Sequence, residues 1–136
     1  MTNLILDTGA VVSLIDAQEP THDACTGFFK DFQGKIFSTE AVLTESLYLL
    51  GGLFQHQKKC IGFFVQGVRI FPFSSKLLNQ CIVLMEKYQD LPMDFADATL
   101  VVVAEELACD QIFTLDRRGF ETYRWGRNKT FKIYPE

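Results

Sequence analysis

Short apolar runs that stop at an acid or a turn alternate with longer stretches of helical periodicity along the whole chain, and few folds accommodate that rhythm. Residues 3–6 predict a short buried strand ending at Asp7. Residues 8–16 then carry Val11, Val12, Leu14 and Ile15 at helical spacing. Glu19-Pro20-Thr21 is a turn signal, with Thr21 the expected N-cap of a helix to Phe32 that Gln33-Gly34 closes. A second strand is expected over 35–37. Ser38 or Thr39 should cap a helix to Leu50, in which Val42, Leu43, Leu47 and Leu50 keep the 3.6-residue period. Gly51-Gly52 breaks it, and a further helix is expected over 53–66.

The second half repeats the alternation. Residues 68–73 predict a third strand, and Ser74 or Ser75 caps a helix to about Gln89. Leu91-Pro92 reads as a linker. Asp94 is a natural N-cap for a helix over 94–109, which places Asp97 at the third helical position of a capping-box variant. Strands are expected over 111–115, ending at Asp116, and over 131–134. Strands separated by helices imply an α/β fold with a mainly parallel, about five-stranded sheet covered on both faces and joined by right-handed crossovers.

The 136 residues suit one domain, spanning 1–136, with a core large enough to need no staples. Cys25, Cys60, Cys81 and Cys109 form no C-x-x-C pair, so zinc and a disulfide framework are disfavoured. Free thiols point to a reducing, cytoplasmic location. Residues 1–6 are too short for a secretory core, and no stretch approaches the ~18 apolar residues of a membrane helix. The net charge of −4 argues weakly against a nucleic-acid partner. The C-terminal segment argues the other way: Arg117, Arg118, Arg124, Arg127, Lys129 and Lys132 face only Glu121 and Glu136 in the sequence. This is either a basic patch or a solvated surface.

In open α/β sheets, ligands gather off the carboxyl ends of strands. Asp7 and Asp116 both stand at such ends, and each also reads as the cap of the helix that follows. Adjacent parallel strands would bring the two together. Asp97 opens a helix that continues as Ala98, Thr99 and a run of Leu and Val, so an acid there invites a reason. Glu45 sits mid-helix among Val42, Leu43 and Leu47, whereas Asp94 is explained by capping. Clustered carboxylates repel one another, and a hard divalent cation, Mg²⁺ or Mn²⁺, removes the conflict.

Four segments together resemble the PIN-domain nucleases: Leu4-Ile5-Leu6-Asp7-Thr8, Thr44-Glu45, Ala96-Asp97-Ala98, and Thr114 through Phe120. The resemblance implies a PIN-like three-layer α/β/α fold and a metal-dependent ribonuclease. Asp7, Glu45, Asp97 and Asp116 match the metal-binding and catalytic acids. Thr114 matches a frequent hydroxyl near the last acid. Gly119 departs from the pattern, because family members often carry another acid there. The length, with nothing appended, looks like the toxin of a VapBC-type toxin–antitoxin module, which implies a small antitoxin partner and a homodimer.

The implied reaction is hydrolysis of RNA phosphodiester bonds with one or two Mg²⁺ or Mn²⁺ ions. Asp7 and Asp116 are the expected direct ligands, and Asp97 is expected to bind directly or through water. Glu45 should hold a water or take its proton, with Asp94 accessory. Arg117 and Arg118, with Thr114, are the expected substrate contacts. A dehalogenase-type phosphatase would need Asp-x-Asp after the first strand, where Asp7-Thr8-Gly9 stands. There is no P-loop or G-x-G-x-x-G, and neither His22 nor His56 adjoins a nucleophile motif. A receiver-like domain would want an acid after the third strand, which ends instead at Pro72-Phe73-Ser74. The remaining rival is a catalytically inactive PIN-fold module that binds RNA or protein. The retention of all four acids favours the enzyme.

Overall fold

All five expected strands form and join one sheet in the computed structural model, which describes residues 2–136. In chain order the elements are β1 (Asn3–Leu6), α1 (Thr8–Ile15), α2 (His22–Asp31), β2 (Lys35–Ser38), α3 (Glu40–Leu49), α4 (Phe54–Gly67), β3 (Val68–Ile70), α5 (Ser75–Lys87), α6 (Phe95–Leu107), β4 (Gln111–Phe113), α7 (Arg117–Thr122) and β5 (Lys132–Tyr134). The strand order is β3-β2-β1-β4-β5, and every pairing is parallel. β1 lies at the centre, with Leu4, Ile5 and Leu6 fully buried, as an apolar strand covered on both faces must be.

Right-handed crossovers sort the helices into layers. The steps from β1 to β2 to β3 run one way along the sheet and lay α1 to α4 over one face. The step back across to β4 and on to β5 lays α5, α6 and α7 over the other. The packing agrees: α1 contacts α2, α3 and α4, while α5 lies along α6. The first two turns of α6 supply Ala98, Leu100, Val101 and Val102 to the core with no exposed surface. Among the described residues, no helix is long and apolar enough to cross a membrane.

Several boundaries differ from the sequence reading. β3 stops at Ile70 rather than Phe73, because it is an edge strand and Pro72 has no N–H for a ladder; only the Phe71 N–H still reaches Ser38 O, at 2.9 Å. β4 stops at Phe113, and Leu115 turns outward, 37% exposed, which brings Asp116 to the start of α7. Thr21 flanks α2 but makes no side-chain cap; its hydroxyl pairs with Ser13 instead. Thr39, Ser74 and Asp94 do cap their helices, accepting from Val42, Leu77 and Asp97 N–H respectively.

α6 ends on Ala108 at φ 49° and ψ 48°, a left-handed residue without the glycine usual at that position. Its Cβ crowds the backbone there, at roughly 1 kcal/mol. Ala108→Gly is therefore expected to raise stability by about that amount, read as a higher urea midpoint at unchanged m-value; no gain would refute the assignment of strain.

Candidate active site at the β1–β4 switch point

The sheet reverses its direction of growth between β1 and β4, and open α/β sheets place their crevice off the strand ends at such a point. Asp7 and Asp116 flank it. Leu6 pairs with Phe113, and Asp7 N–H extends the ladder to Phe113 O at 3.0 Å. The chain leaves β1 directly into α1, so Asp7 becomes that helix's N-cap: its Oδ1 accepts from Thr8 N–H at 2.7 Å. Its Oδ2 accepts from the Thr114 hydroxyl at 2.6 Å. Thr114 Oγ1 in turn accepts the Asp116 N–H at 3.0 Å. One buried hydroxyl thus ties both strand-end acids together. Thr114 is 1% exposed, so its placement suits orienting acids rather than touching a substrate.

Asp116 is exposed and caps α7 through Gly119 N–H at 3.0 Å. Asp97, in the first turn of α6, gives its N–H to the exposed Asp94 carboxylate at 2.8 Å and accepts at Oδ2 from the Tyr123 hydroxyl at 3.1 Å. Glu45 lies half-buried on α3. The start of α3 is pinned to α6 by a buried hydroxyl pair, Thr39 to Thr99 at 2.9 Å, which sets the two helices bearing Glu45 and Asp97 side by side. Between them lies an open cavity of about 590 Å³ walled by Glu45, Tyr48, Asp94 and Phe95. A larger cavity of about 850 Å³, lined by His22, His56, Lys58 and Lys59 among others, contains none of the acids.

The acids lie in one another's fields. Burial, ahead of any neighbour, raises the Asp7 carboxyl from 3.8 to about 6; the Thr114 and Thr8 hydrogen bonds oppose the rise, and the charges of Glu45 and Asp116 add to it. Asp97 is pushed up to about 8, first by burial and then by the charges of Asp7 and Asp94. Burial and the Asp97 charge also raise the Tyr123 phenol above its usual range, so it keeps its proton and donates.

The expected tight quartet is not what the geometry contains. Among the described residues, no three His, Cys, Asp or Glu side chains converge closely enough to hold a metal ion. The reason is visible in the hydrogen bonds: Asp94, Asp116 and one oxygen of Asp7 each turn toward a helix N-terminus. The donor chemistry nonetheless fits a hard cation, since every candidate ligand is a carboxylate oxygen. Mg²⁺ in particular keeps several waters and takes only one or two carboxylates. A divalent ion would also offset the charge repulsion that adds to the effect of burial on Asp7 and Asp97.

Of the two arginines, Arg117 is engaged elsewhere. Its Nη1 donates to Pro135 O at 3.2 Å, and its Nε stands 3.6 Å from Glu121 in an exposed i,i+4 pair. Such a pair contributes roughly 0–1 kcal/mol and holds the side chain only loosely. Arg118 lies exposed on the same helix. All four cysteines are free and buried.

The model of the PIN domain matches residues 4–126. Ribonuclease VapC26 of Mycobacterium tuberculosis is 27% identical over 135 residues, covering 97% of this chain and all of that one. The fold is similar to that of Mycobacterium tuberculosis VapC20, described as a sarcin–ricin loop cleaving toxin, with a TM-score of 0.78 at 16% identity over 84% of this chain and 90% of the other. It is also similar to a chain of VapBC2 from Rickettsia felis bound to a promoter DNA fragment, at 0.67 and 14%, covering 97% and 98%. A toxin–antitoxin complex from Klebsiella pneumoniae matches at 0.66 and 13%, covering 88% and 91%.

Proposed function

Because the chain belongs to the PIN-domain family, we propose that it is a Mg²⁺- or Mn²⁺-dependent ribonuclease and the toxin of a toxin–antitoxin pair. The observation that supports this reading is the pair of strand-end acids at the β1–β4 switch point, Asp7 and Asp116, joined through the buried Thr114 hydroxyl, with the charges of Glu45, Asp97 and Asp116 within electrostatic reach of Asp7. The ribonuclease name of the VapC26 relative and the toxin–antitoxin complexes among the similar structures support it.

Asp7, Asp97 and Asp116 would hold the metal, with Asp94 an accessory to Asp97 through its backbone. When bound, the ion supplies Lewis-acid polarisation of the phosphate and lowers the pKa of water. Glu45, half-buried at the cavity edge, would accept a proton from the attacking water. Thr114 fixes the rotamers of Asp7 and the approach to Asp116. Arg118, and Arg117 once released from Glu121, are available to RNA phosphates. Apolar side chains left exposed at Tyr48, Leu49, Leu53 and Phe54, and at Ile82 and Val83, support an antitoxin partner or a second copy of the chain. Four unpaired thiols support a reducing, cytoplasmic setting.

The open arrangement of the acids favours one rival, a PIN-fold module that binds without cutting. The two separate in a cleavage assay on labelled structured RNAs with Mn²⁺, with Mg²⁺ and with excess chelator. Cutting that falls by ~10²-fold or more on chelation is expected. No cutting of several RNAs by protein stripped of any copurified inhibitor would establish the binding module instead.

A further inference from the structure

We infer that Tyr123 is a positioning residue for the proposed metal site: by donating to Asp97 Oδ2 it sets how that carboxylate faces the ion. The inference rests on the reading of Asp97 as a ligand. Tyr123 stands just past α7 and is 2% exposed, with its backbone N–H on Gly119 O at 2.9 Å. Its ring is clamped edge-on by Tyr88, with centroids 5.1 Å apart at 66°, and by Phe120, 5.1 Å apart at 85°. Tyr88 is itself held, its hydroxyl accepting the Arg124 N–H at 3.0 Å. The ring therefore has one orientation, set by α5 and α7, and the hydroxyl it carries crosses to α6.

Gly119 is what makes room for this. A Cβ built there would lie 2.5 Å from Asp116 Oδ2 and 3.1 Å from Tyr123 Cε2. The absence of a side chain at 119 lets the Asp116 carboxylate and the Tyr123 ring share one space. A buried tyrosine also needs an acceptor for its own sake. What sets this one apart is that its acceptor is an acid of the candidate site, and that its ring abuts the glycine packed against another.

The test compares the full chain with Tyr123→Phe and Asp97→Asn, reading Mn²⁺ affinity by calorimetry without RNA, then kcat and KM. Removing the hydroxyl is expected to weaken Mn²⁺ binding ~10-fold and lower kcat to a similar extent, with KM unchanged. Placing 4-aminophenylalanine at 123 restores an N–H donor and is expected to recover most of the affinity. Wild-type Mn²⁺ affinity in Tyr123→Phe alongside impaired Asp97→Asn overturns the role of Tyr123 and leaves the metal site standing. Unimpaired Asp97→Asn overturns the metal reading and the inference with it. If the Phe variant does not fold, 3-fluorotyrosine keeps the shape and alters the donor. A changed Mn²⁺ affinity then supports the inference, and an unchanged one refutes it.

Discussion

Asn in place of Asp7 is expected to yield a chain that melts several degrees above its parent at neutral pH and cuts RNA ~10³-fold more slowly. The two effects have one cause. Asp7 is 5% exposed, and its carboxyl is raised from 3.8 to about 6, so the folded chain resists its ionisation. Between about pH 4 and 6 the folded state binds more protons than the unfolded one. Stability of the metal-free chain therefore falls as pH rises through that window and levels off above it, a penalty on the order of 3 kcal/mol. Asp97, raised to about 8, prolongs the decline. Asn removes the Asp7 part. It still accepts from Thr8 N–H, and the Thr114 hydroxyl can turn to accept its amide. The loss of cleavage follows if the displaced charge is what grips the metal, an ion that contributes several kcal/mol to phosphoryl transfer. Calorimetric melting from pH 4 to 8, without metal and with Mn²⁺, reads both. An Asn variant that melts earlier at pH 7 would sink the account, as would one that gains as much from Mn²⁺ as the parent.

Asp116→Asn should give a different pair of results: unchanged stability and an equally deep loss of cleavage. Asp116 is exposed and caps α7, and Asn is as good a cap as Asp. If capping were its whole role, the substitution would leave catalysis intact. If the charge serves the metal, kcat should fall ~10³-fold while the urea midpoint stays within about 0.5 kcal/mol of the parent. Retained cutting would remove Asp116 from the site and leave it a helix cap.

What could be read in the sequence was whatever repeats at short range. Helical periodicity found the helices, and Asp94 and Ser74 announced their caps. Strand ends were less legible, because the exit at Ile70 follows from an edge position and that at Phe113 from the need to start α7 at Asp116. Neither is a local property of those residues. The order β3-β2-β1-β4-β5 joins segments over a hundred residues apart, and no short-range pattern encodes it. The candidate acids showed themselves as charges at strand ends or in apolar helices, but not which way they turn: three of their oxygens face helix N-termini instead of one another. Tyr123 left no direct signal. Its partner Asp97 is 26 residues away, and the one clue was Gly119, which reads on its face only as a missing acid.

The central place of β1 has a consequence in time. Asp7 is made early and Asp116 late, yet they come to adjoining strand ends only when β4 docks against β1, a closure spanning most of the chain. Long-range pairing of this kind is slow to form. A chain halted before its fourth strand would hold only part of the proposed site. Under that reading, any activity waits until β4 has emerged and paired with β1.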